Sequence, residues 1–510
     1  MKGPLIKPRA PKTFVKTSEW SELCWLSIEK NVYGLQARIA KAVQNQKYGK
    51  AKALQWLLVH SASAKLLAVK LVTTSKGHKM PGIDNIVWKT DEQKFQAARA
   101  LKIRGYKAQP LRRIYIPKKN GKKRPLSIPT MHDRAMQSLF RLALEPVSEV
   151  TADLNSYGFR PKRSAHDAIY QSYIVLASRN SAQWILDADI KACFDEISHD
   201  WLLDNILVDK RVLKQWLKSG YMDKGRLFET IRGTPQGGPV SPLLANMVLN
   251  GLEETIKTQC GKGKKINFVR FADDFIVTAS SKDILEKEVK PIINSFLQTR
   301  GLSLSKEKTR IVNIEEGFDF LGFNVRKYKG KFLTKPSKDS IKSIKKKIKD
   351  QVKEGYGWSG KDLIAKLNPL IKGWANYYRH VVAKETFSEV DDYIFRKTFY
   401  WTMRKFNGHQ RYKAVNKYFR RRHLFRRWIF SDVKANKNGK KEYICLHKMM
   451  DVKIQRHIKI RAIATPYLPE YKEYFKDRRR LTGKISLIQR RIDKFRNSIW
   501  DGNELPDYWS

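Results

Sequence analysis

Acidic residues are scarce in this sequence relative to basic ones. The 510 residues include 49 Asp and Glu against 102 Lys and Arg, which gives a formal net charge of +53. A compact chain with this excess of one sign repels itself, so a polyanionic partner is expected and an ordinary metabolic enzyme is not. Nucleic acid is the first candidate for that partner, and an anionic membrane surface is the second.

Cysteines and long apolar runs are also scarce. Four scattered cysteines without a CxxC pair argue against a disulfide framework and against a cysteine-based zinc module. No run of about 18 apolar residues occurs, so a membrane-spanning helix is not expected. Of the two candidate partners we expect nucleic acid and no membrane. The basic segment 1–14 is interrupted by prolines and lacks the apolar region of a secretory signal. These features suit a reducing compartment such as the cytoplasm.

The basic excess is concentrated towards the end of the sequence. Residues 331–510 contain 45 Lys and Arg and 18 acids. Between Tyr393 and Ser431 there is no acid at all, and basic residues alternate with aromatic ones. A short basic run is usually a solvated surface, but the length of this one favours contact with phosphates. The residues predicted to bind nucleic acid are Arg420, Arg421, Arg422, Arg426 and Arg427.

The hydrophobic periodicity predicts a mixture of helices and strands. Helices are predicted over 30–72 and again beyond about 335, where Asp391 and Asp392 are expected on a solvated helix face. Strands are predicted over three segments, which are 111–129 with a turn at 119–122, 184–190, and 267–278. The expected fold class is therefore α+β.

The predicted strands at 267–278 meet at two adjacent acids, Asp273 and Asp274. Apolar residues on both sides indicate a strand–turn–strand hairpin with the carboxylates at its tip. Adjacent carboxylates repel each other unless a cation lies between them, and Mg²⁺ prefers such oxygen ligands. A solvated Asp-Asp turn is an equally good interpretation of this segment alone.

A second acidic strand favours the metal interpretation. Asp187 and Asp189 lie on one face of the predicted strand 184–190. Carboxylates from two strands can hold two metal ions about 3.5–4 Å apart, which is the arrangement used for in-line nucleotidyl transfer.

Two further segments carry groups that could bind a nucleotide. The loop 233–242 combines small residues with Gln236, so its backbone can approach a base pair closely. The basic hairpin 116–126 contains Lys118 and Arg124, and the forked guanidinium of Arg124 suits triphosphate oxygens.

In chain order, these four segments resemble the sequence blocks of a reverse transcriptase. Over roughly residues 20–480 the sequence resembles the group II intron-encoded reverse transcriptase/maturases of the chloroplast-like bacterial type. The strings that extend the resemblance are PGID at 81–84, LRRIYIPK at 111–118, NSYGFR at 155–160, GLSLSKEKT at 301–309, FDFLGF at 318–323 and the maturase-like GWANYY at 373–378.

The resemblance implies roles for individual residues. Asp189, Asp273 and Asp274 are implied as catalytic residues and, with Ile190, as the ligands of Mg²⁺. Asp189 is preferred to Asp187 because Phe194 then lies five residues later, at the position of the aromatic ring that excludes a ribose 2′-hydroxyl. The residues implied to bind the incoming nucleotide are Lys118, Arg124, Phe194, Gln236 and Lys308.

The resemblance also implies a right-hand polymerase with fingers, an antiparallel-sheet palm, a helical thumb and a helical, basic C-terminal region. The expected domains are an N-terminal helical extension with the start of the fingers (1–95), fingers and palm (96–328), a thumb/maturase domain (329–405) and a basic DNA/RNA-binding domain (406–510). The paired Cys and His residues of a C-terminal HNH endonuclease are missing, and an amphipathic helix is expected over 485–499. Phe271 stands where the family usually has Tyr, which keeps the ring and loses only a hydroxyl.

The implied function is an RNA-directed DNA polymerase that binds group II intron RNA, assists its splicing and takes part in intron mobility. The implied partners are intron RNA in a ribonucleoprotein, target DNA, an RNA template with a DNA primer, and dNTPs. Three alternatives remain: an RNA-dependent RNA polymerase, a splicing-only maturase, and a domesticated enzyme used in repair or defence. The three carboxylates argue against the second, and Phe194 argues against the first.

Overall fold

The computed structural model describes residues 19–117, 121, 123–234, 237–406, 411–421, 428–435 and 441–481. The described residues form two compact units. The first comprises residues up to 168, residues 182–311 and residues 460–472, and the second comprises residues 169–181, 312–459 and those from 473 onward. Helix α6, Ala165–Leu176, and strand β8, Arg310–Asn313, continue across these boundaries along the chain.

Helices form most of the first unit. The helices besides α6 are α1 Trp25–Gln44, α2 Tyr48–His60, α3 Ala62–Thr73, α4 Asp91–Ala100, α5 Met131–Val150, α7 Cys193–Glu196, α8 His199–Asn205, α9 Lys210–Leu217, α10 Ser241–Leu249, α11 Leu252–Cys260, α12 Lys282–Ile284 and α13 Lys290–Gln298. Helix α5 is buried along most of its length and packs against α1 and α3. Within the described part of the chain, no single helix is long and apolar enough to cross a membrane, although α2 and α3, bent by 68°, pass that test as a pair.

Two four-stranded sheets complete the first unit. Their strands besides β8 are β1 Leu111–Pro117, β2 Lys123–Ile128, β3 Trp184–Asp189, β4 Tyr221–Asp223, β5 Arg226–Phe228, β6 Asn267–Phe271 and β7 Asp274–Ala279. One sheet has the order β2–β1–β4–β5, in which β1 and β2 form the predicted antiparallel hairpin. The other has the order β6–β7–β3–β8, with β6, β7 and β3 antiparallel. The predicted strands thus form in their predicted places.

A segment from late in the chain, residues 460–472, belongs to the first unit. The amide of Ile460 donates a hydrogen bond of 2.8 Å to Oδ1 of Asp167, whose side chain is fully buried. Arg163 donates to the carbonyl of Ala462 at 2.9 Å, and the Tyr467 hydroxyl donates to Oε2 of Glu145 at 2.8 Å. We call residues 460–472 the return segment, since they bring the chain back into the first unit.

The described part of the second unit combines four helices with two three-stranded sheets. The helices are α14 Lys338–Glu354, α15 Gly360–Tyr378, α16 Lys384–Lys405 and α17 Arg411–Tyr418. The strands are β9 Phe318–Phe320, β10 Phe323–Tyr328, β11 Lys331–Pro336, β12 Phe419–Arg421, β13 Trp428–Ala435 and β14 Lys441–Cys445. The sheets have the orders β11–β10–β9 and β12–β13–β14.

The region beyond 335 is helical as predicted up to Tyr418, and strands follow where further helix was expected. Aromatic residues explain the change, because they suit the half-buried surface of a sheet. Tyr418 and Phe430 stack with ring centroids 5.6 Å apart, and both lie edge-on to the fully buried Trp401. The predicted helix at 485–499 lies outside the described residues.

The expectation of a solvated face at Asp391 is wrong. Its two carboxylate oxygens accept hydrogen bonds from the amides of Met449 and Met450, at 2.9 and 3.0 Å. Burial raises the pKa of Asp391 to about 6. This acid therefore fixes a short 3₁₀ turn, Met449–Asp451, against helix α16.

Candidate active site

The β6–β7 hairpin holds two of the three predicted catalytic carboxylates. Its strands pair through Phe271 and Asp274, so the turn between them consists only of Ala272 and Asp273. Ala272 adopts a left-handed conformation with φ of 61°, which tight hairpin turns require. Asp273 thus lies at the tip, and Asp274 begins the returning strand.

Strand β3 brings the third carboxylate to the same place. In the antiparallel pairing of β3 with β7, Asp189 lies directly opposite Asp274. Asp187 lies two residues earlier on the same face of β3. The structure therefore places Asp189, Asp273 and Asp274 together, while their catalytic and metal-binding roles stay predictions.

Burial and the neighbouring negative charges make Asp273 and Asp274 costly to ionise. Burial raises the pKa of Asp274 to about 7, with further contributions from the charges of Asp187, Asp189 and Asp273. Burial also raises the pKa of Asp273, and the charge of Asp189 adds to that rise. Such a group binds a cation or a proton more readily than an isolated carboxylate does.

Two cations already lie beside the carboxylates of β3. Lys308 donates a hydrogen bond from Nζ to Oδ2 of Asp189 at 2.7 Å, and this bond raises the pKa of Lys308. Arg310 donates from Nε to Oδ2 of Asp187 at 3.0 Å. The predicted site residue Lys308 is therefore in contact with Asp189, whereas Asp187 is engaged by a different cation.

The chemistry of the donor set fits a hard divalent cation, because only oxygen atoms are offered. Ile190 has an apolar, buried side chain, so only its backbone carbonyl oxygen could bind a metal ion. Among the residues that the structure describes, no three His, Cys, Asp or Glu side chains are grouped as a ready metal site. As it stands, Asp189 is paired with Lys308.

A buried arginine that the sequence analysis missed stabilises the hairpin through its hydrogen bonds. Arg270 on β6 is fully buried and lies 3.6 Å from the carboxylate of Asp153. It also donates to the side-chain oxygens of Asn246 and Asn250, at 3.3 and 3.1 Å, and to the carbonyl of Ala272, at 3.3 Å. An arginine inside a strand pattern has no sequence signal of its own, and its acidic partner is more than 100 residues away.

The segment around Gly158 packs directly against the hairpin turn, because glycine has no side chain. A Cβ atom at Gly158 would lie 2.3 Å from the backbone nitrogen of Ala272, which is closer than any Cβ atom can approach. The carbonyl of Gly158 accepts a hydrogen bond of 2.7 Å from Asn246, which also accepts one from Arg270. The segment NSYGFR thus packs against the turn that presents Asp273 and holds it in place.

Phe194, the predicted ring beside the sugar, lies in the short helix α7 directly after β3 and Ile190. Its ring is half-buried and packs edge-on against Phe159, with centroids 6.4 Å apart. Phe159 is 52% exposed and adopts a left-handed backbone with φ of 56°. Sequence reasoning did not single out Phe159, although it follows Gly158 directly.

The described residues on either side of Gln236 lie close to other elements of the first unit. The amide of Thr234 donates to the carbonyl of Phe194 at 2.6 Å, which ties the loop to the predicted nucleotide pocket. Beyond the gap, a Cβ atom at Gly237 would lie 2.5 Å from the carbonyl oxygen of Ser127 on β2. Gln236 itself lies outside the described residues.

Arg124 lies on β2, opposite Ile116 of β1, with an exposed side chain. Its charge acts to lower the pKa of Asp273, so the guanidinium and the carboxylate are within electrostatic reach of each other. Lys118 falls outside the described residues.

The predicted nucleic-acid-binding arginines are only partly described. Arg420 stacks its guanidinium over the ring of Tyr443 at 3.6 Å. Arg421 is the last residue of β12. Arg422, Arg426 and Arg427 lie outside the described residues, so phosphate contact by this set stays a prediction.

Comparison with protein families gives three matches along the chain. The family described as N-terminal domain of reverse transcriptase matches residues 20–101. Reverse transcriptase (RNA-dependent DNA polymerase) matches residues 116–325, which include all three carboxylates. Group II intron, maturase-specific domain, matches residues 341–419. These matches confirm the predicted fold class, a right-hand polymerase of the α+β type.

The chain is also similar in sequence to several curated proteins. Protein YkfC of Escherichia coli is 29% identical over 314 residues, which cover 52% of this chain and 81% of that protein. Group II intron-encoded protein LtrA of Lactococcus lactis is 30% identical over 331 residues, which cover 51% of this chain and 54% of LtrA. The chain thus spans about half the length of LtrA. Maturase-like protein 1 of Euglena gracilis is 26% identical, over 72% of this chain and 78% of that protein.

Among solved structures, telomerase from Candida albicans in complex with a fragment of telomeric RNA gives a TM-score of 0.34 at 16% identity. The match covers 60% of this chain and 61% of that one.

Proposed function

We infer that this chain, which belongs to the group II intron-encoded reverse transcriptase/maturases, is an RNA-directed DNA polymerase that also binds group II intron RNA. It would assist splicing and would support mobility by reverse splicing into target DNA followed by cDNA synthesis, in the nucleoid of a bacterial cell. The observation that carries the polymerase activity is the pairing of Asp189 with Asp274, with Asp273 in the adjoining turn.

The proposed cofactor is Mg²⁺, held by Asp189, Asp273, Asp274 and the carbonyl of Ile190. Two such ions would activate the 3′-hydroxyl of the primer and stabilise the leaving pyrophosphate. The rest of the proposal concerns the protein's own groups. Arg124 and Lys118 would bind triphosphate oxygens, and Gln236 would bind within the nucleotide pocket.

Lys308 has two partners available in this mechanism. In the structure its ammonium group is bonded to Asp189. In nucleotidyl transfer the same ammonium group would exchange this bond for one to an oxygen of the leaving pyrophosphate. Phe194, fixed against Phe159, would contact the sugar and exclude a ribonucleotide.

The polymerase proposal is tested by extension of a DNA primer on an RNA template with dNTPs and Mg²⁺. Asp273→Asn should lower the rate by orders of magnitude, because a ligand charge is lost, while RNA binding persists. Asp283→Asn is the matched control, since that acid is 78% exposed and lies outside the carboxylate group. Normal extension by Asp273→Asn would contradict the site assignment.

The maturase proposal depends on the match over 341–419 and is tested separately. The full chain should promote splicing of a group II intron RNA under conditions in which the RNA alone splices slowly. Asp273→Asn should keep that activity, because its substitution changes the carboxylate group and not the second unit. A chain that extends primers but neither binds nor helps intron RNA would refute the maturase part alone.

A further inference from the structure

The second unit contains a pocket of about 660 Å³ that is lined mainly by aromatic side chains. Helix α16 contributes Phe395 and Phe399, and helix α17 contributes Arg411 and Tyr412. Strands β12 and β13 contribute Phe419 and Trp428. The volume is in the range of small-molecule binding sites, and aromatic rings form most of the wall.

The rings are arranged as a stacking site rather than as a closed core. Phe395 and Phe399 are nearly parallel, with centroids 6.0 Å apart, and Phe419 lies edge-on to Phe395 at 5.5 Å. Phe419 is buried and forms the floor, whereas Tyr412 is 80% exposed at the rim. A flat aromatic group that entered from solvent could therefore lie against rings on more than one side.

Arg411 adds a positive charge to the wall of the pocket, which indicates the kind of ligand that the pocket can bind. The guanidinium of Arg411 lies 5.5 Å from the ring centre of Phe399. The pocket also lies within the stretch from Tyr393 to Ser431, which contains no acid and many Lys and Arg residues. An occupant is thus expected to be aromatic and to be attached to a polyanionic backbone.

We propose that this pocket binds an unpaired base of the RNA that the second unit recognises, an inference that rests on the proposed maturase function. Bases inside a duplex are stacked on each other and cannot enter a side pocket, whereas loops and bulges present bases that can stack on aromatic side chains and on arginine. The pocket would therefore recognise the single-stranded parts of a folded RNA, and the surrounding cations would hold the flanking phosphates.

The test compares three fluorescently labelled RNAs by anisotropy, with the full chain and with saturating unlabelled primer–template to occupy the polymerase site. The probes are a single-stranded RNA, the same RNA with one central abasic site, and a perfect duplex of that sequence. Wild type should bind the single strand about tenfold more tightly than the abasic strand, in line with the stacking energy of one base.

Substitution at the rim should remove that difference without unfolding the unit, because Tyr412 is largely exposed. Tyr412→Ala should bind the intact strand about as weakly as the abasic strand, with abasic and duplex binding unchanged. Tyr412→Phe should restore tight binding, because it keeps the ring. Tyr48→Ala, an exposed tyrosine at the start of α2, is the matched control and should behave like wild type.

Each outcome decides the proposal. If wild type binds intact and abasic strands equally, or if Tyr412→Ala keeps the preference for the intact strand, no base enters the pocket and the inference is wrong; a protein ligand would then be the remaining use of the surface. Primer extension, measured on the same preparations, should be unchanged by Tyr412→Ala. Loss of all RNA binding or of extension by wild type would instead refute the proposed function.

Discussion

Replacing Asp274 with Asn should stabilise the metal-free protein while it removes polymerase activity. The side chain lies among Asp187, Asp189 and Asp273, and burial adds to the repulsion between these groups. An amide has nearly the same shape as a carboxylate but carries no charge. The substitution therefore removes a destabilising charge together with a proposed metal ligand.

The size of the effect follows from the pKa of Asp274. Burial and the neighbouring acids raise that pKa from 3.8 to about 7. One pKa unit corresponds to about 1.4 kcal/mol, so the ionised form costs the folded state about 4 kcal/mol. Asn at this position avoids the cost.

The gain in stability from Asp274→Asn should increase as the pH rises. The folded protein keeps the proton on Asp274 up to about pH 7, whereas the unfolded chain releases it near pH 3.8. Between these values the folded state binds more protons, so the stability of the wild type falls as pH rises and levels off above pH 7. The advantage of Asp274→Asn should therefore grow by about 2–3 kcal/mol between pH 5 and pH 8.

Urea unfolding of both proteins in EDTA, at several pH values, measures this difference. Asp283→Asn makes the same change in net charge at an exposed position, and its effect should be small at every pH. Added Mg²⁺ should raise the stability of the wild type above pH 7 more than that of Asp274→Asn. A difference between variant and wild type that does not change with pH would refute the electrostatic explanation of the site.

Three further substitutions and one set test other parts of the structure. Phe194→Val should admit ribonucleotides and keep much of the deoxynucleotide activity in a primer-extension assay; unchanged discrimination would mean that Phe194 does not contact the sugar. Gly158→Ala should cost about 1–3 kcal/mol of stability and lower extension at least tenfold, because its Cβ would collide with Ala272; wild-type activity would contradict the close approach. Arg270→Met should cost about 3–5 kcal/mol, because it leaves Asp153 buried without its cation, and adding Asp153→Asn should recover part of that loss. Neutralising the basic set should flatten the log–log dependence of RNA affinity on salt by a few units, with extension of an annealed primer kept at low salt; an unchanged slope would mean a solvated surface. That set is Arg420, Arg421, Arg422, Arg426 and Arg427.

The sequence predicts the carboxylate hairpin well because two local signals coincide there. Apolar alternation on both sides of Asp273 and Asp274 predicts two strands and a turn, and the structure has both. The partner strand with Asp189 is equally clear. Local patterns do not say, however, which of Asp187 and Asp189 is the catalytic one; the choice of Asp189 rested on the family resemblance and the position of Phe194, and its pairing with Asp274 comes from the structure.

The support beneath the hairpin could not be predicted in the same way. Arg270 reads as a polar interruption in a strand, and nothing nearby in the sequence indicates that it is fully buried. Its partners Asp153, Asn246 and Asn250 come from other elements, so only the tertiary fold brings them together. The same limit explains Asp391, whose two backbone partners lie almost 60 residues later.

The strands after Tyr418 were missed for a different reason. A stretch that is rich in both basic and aromatic residues resembles a continued amphipathic helix, because long cationic side chains and rings suit either structure. Packing of Phe430 on β13 against Trp401 and Tyr418 decides in favour of the sheet. That contact lies outside the reach of any short sequence window.

The return segment 460–472 has a consequence for the order in which the first unit is completed during translation. Residues up to 311, which include the carboxylates, emerge early, but Asp167 gains its bond from Ile460 only after residues 312–459 of the second unit have been translated. At about 5–20 residues per second, that interval is roughly 7–30 s. A premature stop codon before residue 460 would therefore remove part of the first unit itself, so this unit cannot form all of its contacts until the return segment has been translated.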